Sequence, residues 1–126
     1  MQLTIPIDAI PQQRPRVTNG IVYDPPKCKK FKQDFSFLLK SLYRDNPLNG
    51  ALNAQIDIFR NFKNPTQKRY GDADNLAKPI LDAANLILWL DDSQIVDLHV
   101  RKFIVESNPF VKLDFRKTIP YFGDYL

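Results

Sequence analysis

Apolar positions along the chain recur with two periods, and the changes of period mark out the elements. QLTIPI alternates apolar with other side chains, as a half-buried strand does, and prolines close it. RVTNGIVYD sets Asn19-Gly20 between two β-prone runs, a pair suited to a hairpin turn whose central residues take positive φ. After Pro25 and Pro26 the period becomes helical. Phe31, Phe35, Leu38, Leu39 and Leu42 share a face through KCKKFKQDFSFLLKSLYRD, while Lys27, Lys29, Lys30, Lys32 and Lys40 fall largely elsewhere. A turn at Asn46 to Gly50 leads to alternation again at Leu52, Ala54, Ile56 and Ile58. FRNFKNPTQKRYG, from Phe59 to Gly71, reads as a loop rich in bases and rings. Leu76, Ile80, Ala83, Ala84 and Ile87 then predict a second helix, with Asp74 or Asn75 as N-cap and Pro79 tolerable only near its start. A strand from Ile95 points Val96, Leu98 and Val100 one way and Asp97, His99 and Arg101 the other. VKLDFRK closes the pattern with Val111, Leu113 and Phe115 inward. The aromatic ending IPYFGDYL suits either a core cap or a partner surface.

Strand, hairpin, helix, strand, helix, strand, strand is the order of an α/β domain, a small mixed sheet with helices packed on it. Its 126 residues form one domain, 1–126, long enough to bury a core without disulfides. No apolar run approaches the length of a membrane span, and MQLTIPIDAI lacks the basic and apolar regions of a signal peptide. Cys28 is the only cysteine, which fits a reducing cytoplasm, and nothing around it forms a cysteine–histidine pair. His99, the only histidine, falls on the polar side of its strand and reads as a surface residue.

Charge changes this picture. The chain carries a net +4, yet from Gly71 to Val100 it holds six aspartates and a single base, Lys78. The remaining seventeen bases and eight acids give the rest an excess of nine positive charges. A basic body suits a polyanion, and crowded acids suit a cation placed among them. The basic N-terminal end of the first helix opposes the helix dipole, a mild cost that is tolerable where lysines face phosphate.

Within the acidic stretch, an extended Asp72–Ala73–Asp74 would put both carboxylates on one side. Asp74, Lys78 and Asp82 stand four apart, a helical stack. Asp91 and Asp92 return beyond the helix, and one of them could join the first two. An oxygen-only set of three carboxylates suits Mg²⁺ or Mn²⁺ rather than zinc, and such an ion polarises a phosphodiester and activates water. Lys78 could hold the phosphate or form a salt bridge to Asp74 or Asp82. An EF-hand is excluded, since Ala77 and Ala83 occupy its glycine and final glutamate positions. The phosphoaspartyl phosphatase signature fails as well, because TQKRYG, not a hydrophobic strand, precedes the aspartates.

D-x-D-N-x-x-K-x-x-x-D followed by D-D-x-x-[VI] is far more restrictive than D-x-D alone. GDADNLAKPILDAANLILWLDDSQIVDLHVRK, with QRPRV and YDPPKCKKF before it, resembles the RusA family of Holliday-junction resolvases, small homodimeric endonucleases often carried by phages and prophages. The resemblance implies Mg²⁺ held by Asp72, Asp74 and Asp92, a catalytic Lys78, and supporting roles for Asn75, Asp82 and Asp91. It also implies a four-way DNA junction as substrate, a homodimer, and a role in DNA recombination and repair. Arg14, Arg16, Lys27, Lys29, Lys30, Lys68 and Arg69 are the DNA-binding candidates. The sequence departs from the family pattern at Gly71, where many relatives have a base. It departs again at Asn85-Leu86, where many have a glycine, and a left-handed Asn85 could end the helix there. Two rival readings are a metal-dependent phosphatase or nucleotide hydrolase, which would not need the basic excess, and a non-catalytic DNA-binding protein, which would not need the acidic set.

Overall fold

The structure is a computed structural model and describes residues 1–12, 16–23, 25–61 and 71–120. Its elements run β1 (Gln2–Ile5), β2 (Arg16–Thr18), β3 (Ile21–Tyr23), α1 (Pro26–Leu42), β4 (Leu52–Arg60), α2 (Ala73–Ala84), a 3-10 turn (Asp92–Gln94), β5 (Ile95–Ile104) and β6 (Phe110–Lys117). The four longer-range strands form one mixed sheet in the order β1-β6-β4-β5. β6 runs antiparallel to both β1 and β4, and β5 runs parallel to β4. A parallel neighbour requires a crossover, and α2 is that crossover. β2 and β3 make the expected separate hairpin, with Asn19 and Gly20 at φ 53° and 77°.

Leu52, Ala54, Ile56 and Ile58 of β4 join Val111, Leu113 and Phe115 of β6 on the face that the helices cover. Phe31, Phe35 and Leu39 of α1 pack there with Leu76, Ile80, Ala83 and Ala84 of α2. Buried Cys28 extends the α1 stripe by a turn at its start, whereas Leu42 at its end is exposed. The opposite face carries stacked rings, with Phe59 4.7 Å from Phe103 and 4.2 Å from Phe110 between centroids. Beside them Arg101 grips buried Asp57 through two bonds of 2.8 Å.

Four sequence expectations need correction. Phe59 and Arg60 belong to β4 and not to the following loop, because they pair with Phe103 and Ile104. The alternation of β5 breaks at its start, where Ile95 pairs with Leu52 and Asp97 with Asn53, so Val96 is left without a partner in β4; Val96 and Leu98 both remain about half exposed on this edge strand. Helix α2 is capped by Asp72 and not by Asp74 or Asn75. Pro79 therefore sits in the helix interior, where it cannot donate to the carbonyl of Asn75. The backbone N–H of Gln12 takes that carbonyl instead, at 2.8 Å.

Candidate active site

Helix α2 presents the acidic residues in a way the linear spacing does not convey. Asp72 is the N-cap in an extended conformation, but the helix begins at Ala73 and Asp74 lies in its first turn, so the D-x-D segment is not extended throughout. Both side chains are exposed, and that of Asp72 makes no capping hydrogen bond. Gly71, just before them, has φ +80°, and a Cβ there would lie 2.9 Å from Pro11 Cγ and 3.0 Å from Leu76 Cγ. A side chain at that point would be strained and would push against Pro11 and Leu76. Lys102 of β5 donates to the Gly71 carbonyl at 3.1 Å, so a base reaches this position from another strand.

One turn further along α2, Lys78 Nζ lies 2.9 Å from Asp82 Oδ1 and 4.0 Å from Asp92 Oδ2. It pairs with Asp82 and not with Asp74. The Asp82 bond raises the Lys78 pKa above its ordinary value, Asp92 adds to the rise, and partial burial and Lys32 oppose it. Asp82 also accepts a second cation, Lys32 of α1, at 3.2 Å from its other oxygen.

Asp92 reaches Lys78 because the chain reverses sharply after α2. Asn85 is the C-cap but has φ −58°, and the left-handed residue is Leu86 at φ +69°. Asn85 is held in this form because its side chain accepts from the indole N–H of Trp89 at 2.9 Å. The Leu86 N–H donates to the Trp89 carbonyl at 2.7 Å, and Trp89 itself is fully buried, edge-on to Phe115. The next residues form a reciprocal cap. Asp91 accepts from the Ser93 N–H at 3.0 Å, and Gln94 Oε1 accepts from the N–H groups of Leu90 and Asp91. Gln94 Nε2 then donates to the carbonyls of Leu48 and Gly50, both at 2.9 Å. The bonds from Ser93 hold the Asp91 carboxyl below the usual carboxylate range. Asp91 is thereby occupied by the backbone, and Asp92 is the member of the pair turned toward Lys78.

The donor set of Asp72, Asp74 and Asp92 is all oxygen, as a hard divalent cation prefers. Among the described residues no three acidic, histidine or cysteine side chains are gathered closely enough to enclose a metal ion. The trio is thus not a preformed cage, since carboxylates repel and two of the neighbouring acids share Lys78. That still fits Mg²⁺, which keeps several waters and binds through one or two carboxylates plus substrate phosphate.

Of the remaining candidates, Asn75 is exposed in the first turn of α2. Lys27, Lys29 and Lys30 are exposed at the start of α1, where Lys30 pairs with Asp34 at 2.7 Å. Arg16 lies on β2, remote in sequence from the helix-borne acids. Arg14, Lys68, Arg69 and the terminal rings lie outside the described residues. Sequence reasoning missed Lys32 and Lys102 as site neighbours. Lys32 carried no signal beyond its place beside the apolar stripe of α1, because only the packing of two helices brings it to Asp82.

Two similarities bear on this arrangement. Residues 6–115 match the family model described as Endodeoxyribonuclease RusA. The chain is also 30% identical, over 127 residues, to the Bacillus subtilis (strain 168) protein named Uncharacterized protein YqaN, an alignment covering 85% of this chain and 89% of that one.

Proposed function

Since the chain belongs to the RusA endodeoxyribonuclease family, whose members resolve Holliday junctions, we propose that it is a divalent-metal-dependent nuclease that resolves four-way DNA junctions by paired, symmetric nicks, in recombination and repair of cytoplasmic DNA. The observation that carries this reading is the Lys78 ammonium standing between Asp82 and Asp92, on the helix whose opening turn bears Asp72 and Asp74. Asp72, Asp74 and Asp92 would hold Mg²⁺ or Mn²⁺. Bound there, the ion supplies a Lewis acid for the phosphodiester and a water of lowered pKa. Lys78 has two N–H donors beyond the one on Asp82. It offers them to a non-bridging phosphate oxygen, where negative charge grows as water adds to phosphorus. Asp82 orients that ammonium.

Asp72→Asn, Asp74→Asn and Asp92→Asn are each expected to abolish cleavage while leaving junction binding intact or tighter, since each removes a ligand and also a charge that repels DNA. Lys78→Ala is expected to lose far more turnover than affinity. Parallel gel-shift and cleavage assays on a four-way junction, a linear duplex and a nucleotide, with and without Mg²⁺, test all four. Near-wild-type cutting by any variant removes its residue from the site, and preferred hydrolysis of the nucleotide favours the small-phosphate reading.

A junction is two-fold symmetric, so two cuts of like polarity call for two sites on one axis, as a symmetric dimer provides. Light scattering is expected to give about twice the 14.6 kDa chain mass. A protein that stays monomeric on the junction and only nicks a cruciform plasmid is incompatible with paired resolution.

A further inference from the structure

The Asp92 carboxylate is not held in place by the cation beside it. Lys78 Nζ stands 4.0 Å from Asp92 Oδ2, beyond hydrogen-bond range, and bonds to Asp82 instead. What places Asp92 is the backbone of the 3-10 turn that carries it, and Gln94 fastens that turn. Gln94 Oε1 accepts from the N–H groups of Leu90 and Asp91, at 2.8 and 2.9 Å. Its Nε2 donates to the carbonyls of Leu48 and Gly50, both at 2.9 Å. The amide thereby uses two acceptor sites and two donors, the whole hydrogen-bonding capacity of its side chain. Glutamate would keep the acceptors and lose the donors, and methionine would keep the length and lose nearly all of the polarity.

The two ends of this clasp belong to different parts of the fold. Leu90 and Asp91 follow α2, whereas Leu48 and Gly50 lie in the turn between α1 and β4. A second tie runs alongside, since the Leu48 N–H donates to the Leu88 carbonyl at 2.8 Å. A reciprocal cap needs only the bonds that Gln94 makes behind it, toward the start of its own turn. The bonds to Leu48 and Gly50 therefore do something further. They fix where the capped turn stands, against a segment that leads directly into β4, an interior strand of the sheet.

We propose that Gln94 is the positioning residue of Asp92, and that the Leu48–Gly50 turn is the anchor that keeps this carboxylate beside Lys78 and ready for a divalent cation. The inference rests on the metal-dependent nuclease reading given above.

The test counts the Mn²⁺ bound by the full-length protein, from the electron paramagnetic resonance signal of the free ion. Gln94→Met and Gln94→Glu are each expected to weaken Mn²⁺ binding by about tenfold, the usual cost of losing a group that orients a metal ligand. The sign in Gln94→Glu is diagnostic, because an acid added beside Asp91 and Asp92 attracts a cation by charge alone. Gln94→Met is also expected to keep wild-type affinity for a four-way junction in EDTA. Asp57→Asn, which weakens the Arg101 pair on the other face of the sheet, is expected to melt at a lower temperature and to bind Mn²⁺ as the wild type does. Unchanged Mn²⁺ binding in either Gln94 variant overturns the proposal, as does an equal loss in Asp57→Asn or a matching loss of junction affinity in Gln94→Met. Wild-type protein that binds no Mn²⁺ and cuts no junction overturns the nuclease reading itself, an outcome distinct from all of these.

Discussion

Neighbouring aspartates do different work in this protein, and Asp91-Asp92 is the sharpest instance. The Asp91 carboxylate caps the 3-10 turn through the Ser93 N–H, a task in which asparagine serves about as well. Asp91→Asn is therefore expected to keep both stability and cleavage near wild type. Asp91→Ala loses the cap, and the expected result is a lower melting temperature together with slower cleavage, because Asp92 follows directly. Thermal melts and junction cleavage on the pair check this, and a severe loss of cleavage in Asp91→Asn with normal melting would make Asp91 a reacting residue. In the sequence the two acids look alike. What separates them is the reciprocal partner Gln94, whose side chain spans Leu90, Asp91, Leu48 and Gly50. That role depends on a loop some 45 residues away in the chain, so no local pattern announces it.

The element that matters most is α2 with its sharp reversal. Its apolar stripe was legible, since Leu76, Ile80, Ala83 and Ala84 are all buried as their spacing predicts. Its limits were not. Proline in a helix interior is normally a stop signal, and only the Gln12 N–H arriving at the Asn75 carbonyl makes Pro79 acceptable. The exit was misread for a similar reason, because Asn85 is drawn to the Trp89 indole and the left-handed turn passes to Leu86. A bulky residue in that conformation costs about 1–2 kcal/mol. Leu86 is also 74% exposed, so little burial is lost on replacing it. Leu86→Gly is expected to stabilise the protein by up to about 1 kcal/mol once the glycine entropy cost is subtracted. Denaturant melts measure it, and a clear loss of stability shows that Leu86 packs more than it strains.

At the scale of the whole molecule, the α/β class and the strand order along the chain were readable from period alone, whereas the spatial order β1-β6-β4-β5 was not. Nor was the Asp57–Arg101 pair, since Asp57 stands in the polar phase of β4 but is only 6% exposed. Its carboxyl is held below the ordinary range, chiefly by the hydrogen bonds from Arg101 against the opposing effect of burial. A depressed folded value means that the pair's contribution is complete above the usual carboxylate pKa and is lost as pH falls through the lowered one. With Arg101→Met, only Gln55 and Lys112 are left to favour the Asp57 charge against burial, so the variant is expected to be destabilised near pH 7 and closer to wild type near pH 3. Denaturant melts at the two pH values test the sign, and an equal deficit at both removes the pair as the cause. The sheet order carries one more implication, for the time course of synthesis. β6, the last strand among the described residues, lies between β1 and β4 in the sheet and bonds to both. A nascent chain made as far as β5 can already pair β4 with β5 beside α2, yet β1 has no hydrogen-bonded place in the sheet until β6 is made. Non-local pairing of this kind comes late and slowly, so during synthesis the closing of the four-stranded sheet waits for β6 to enter between β1 and β4.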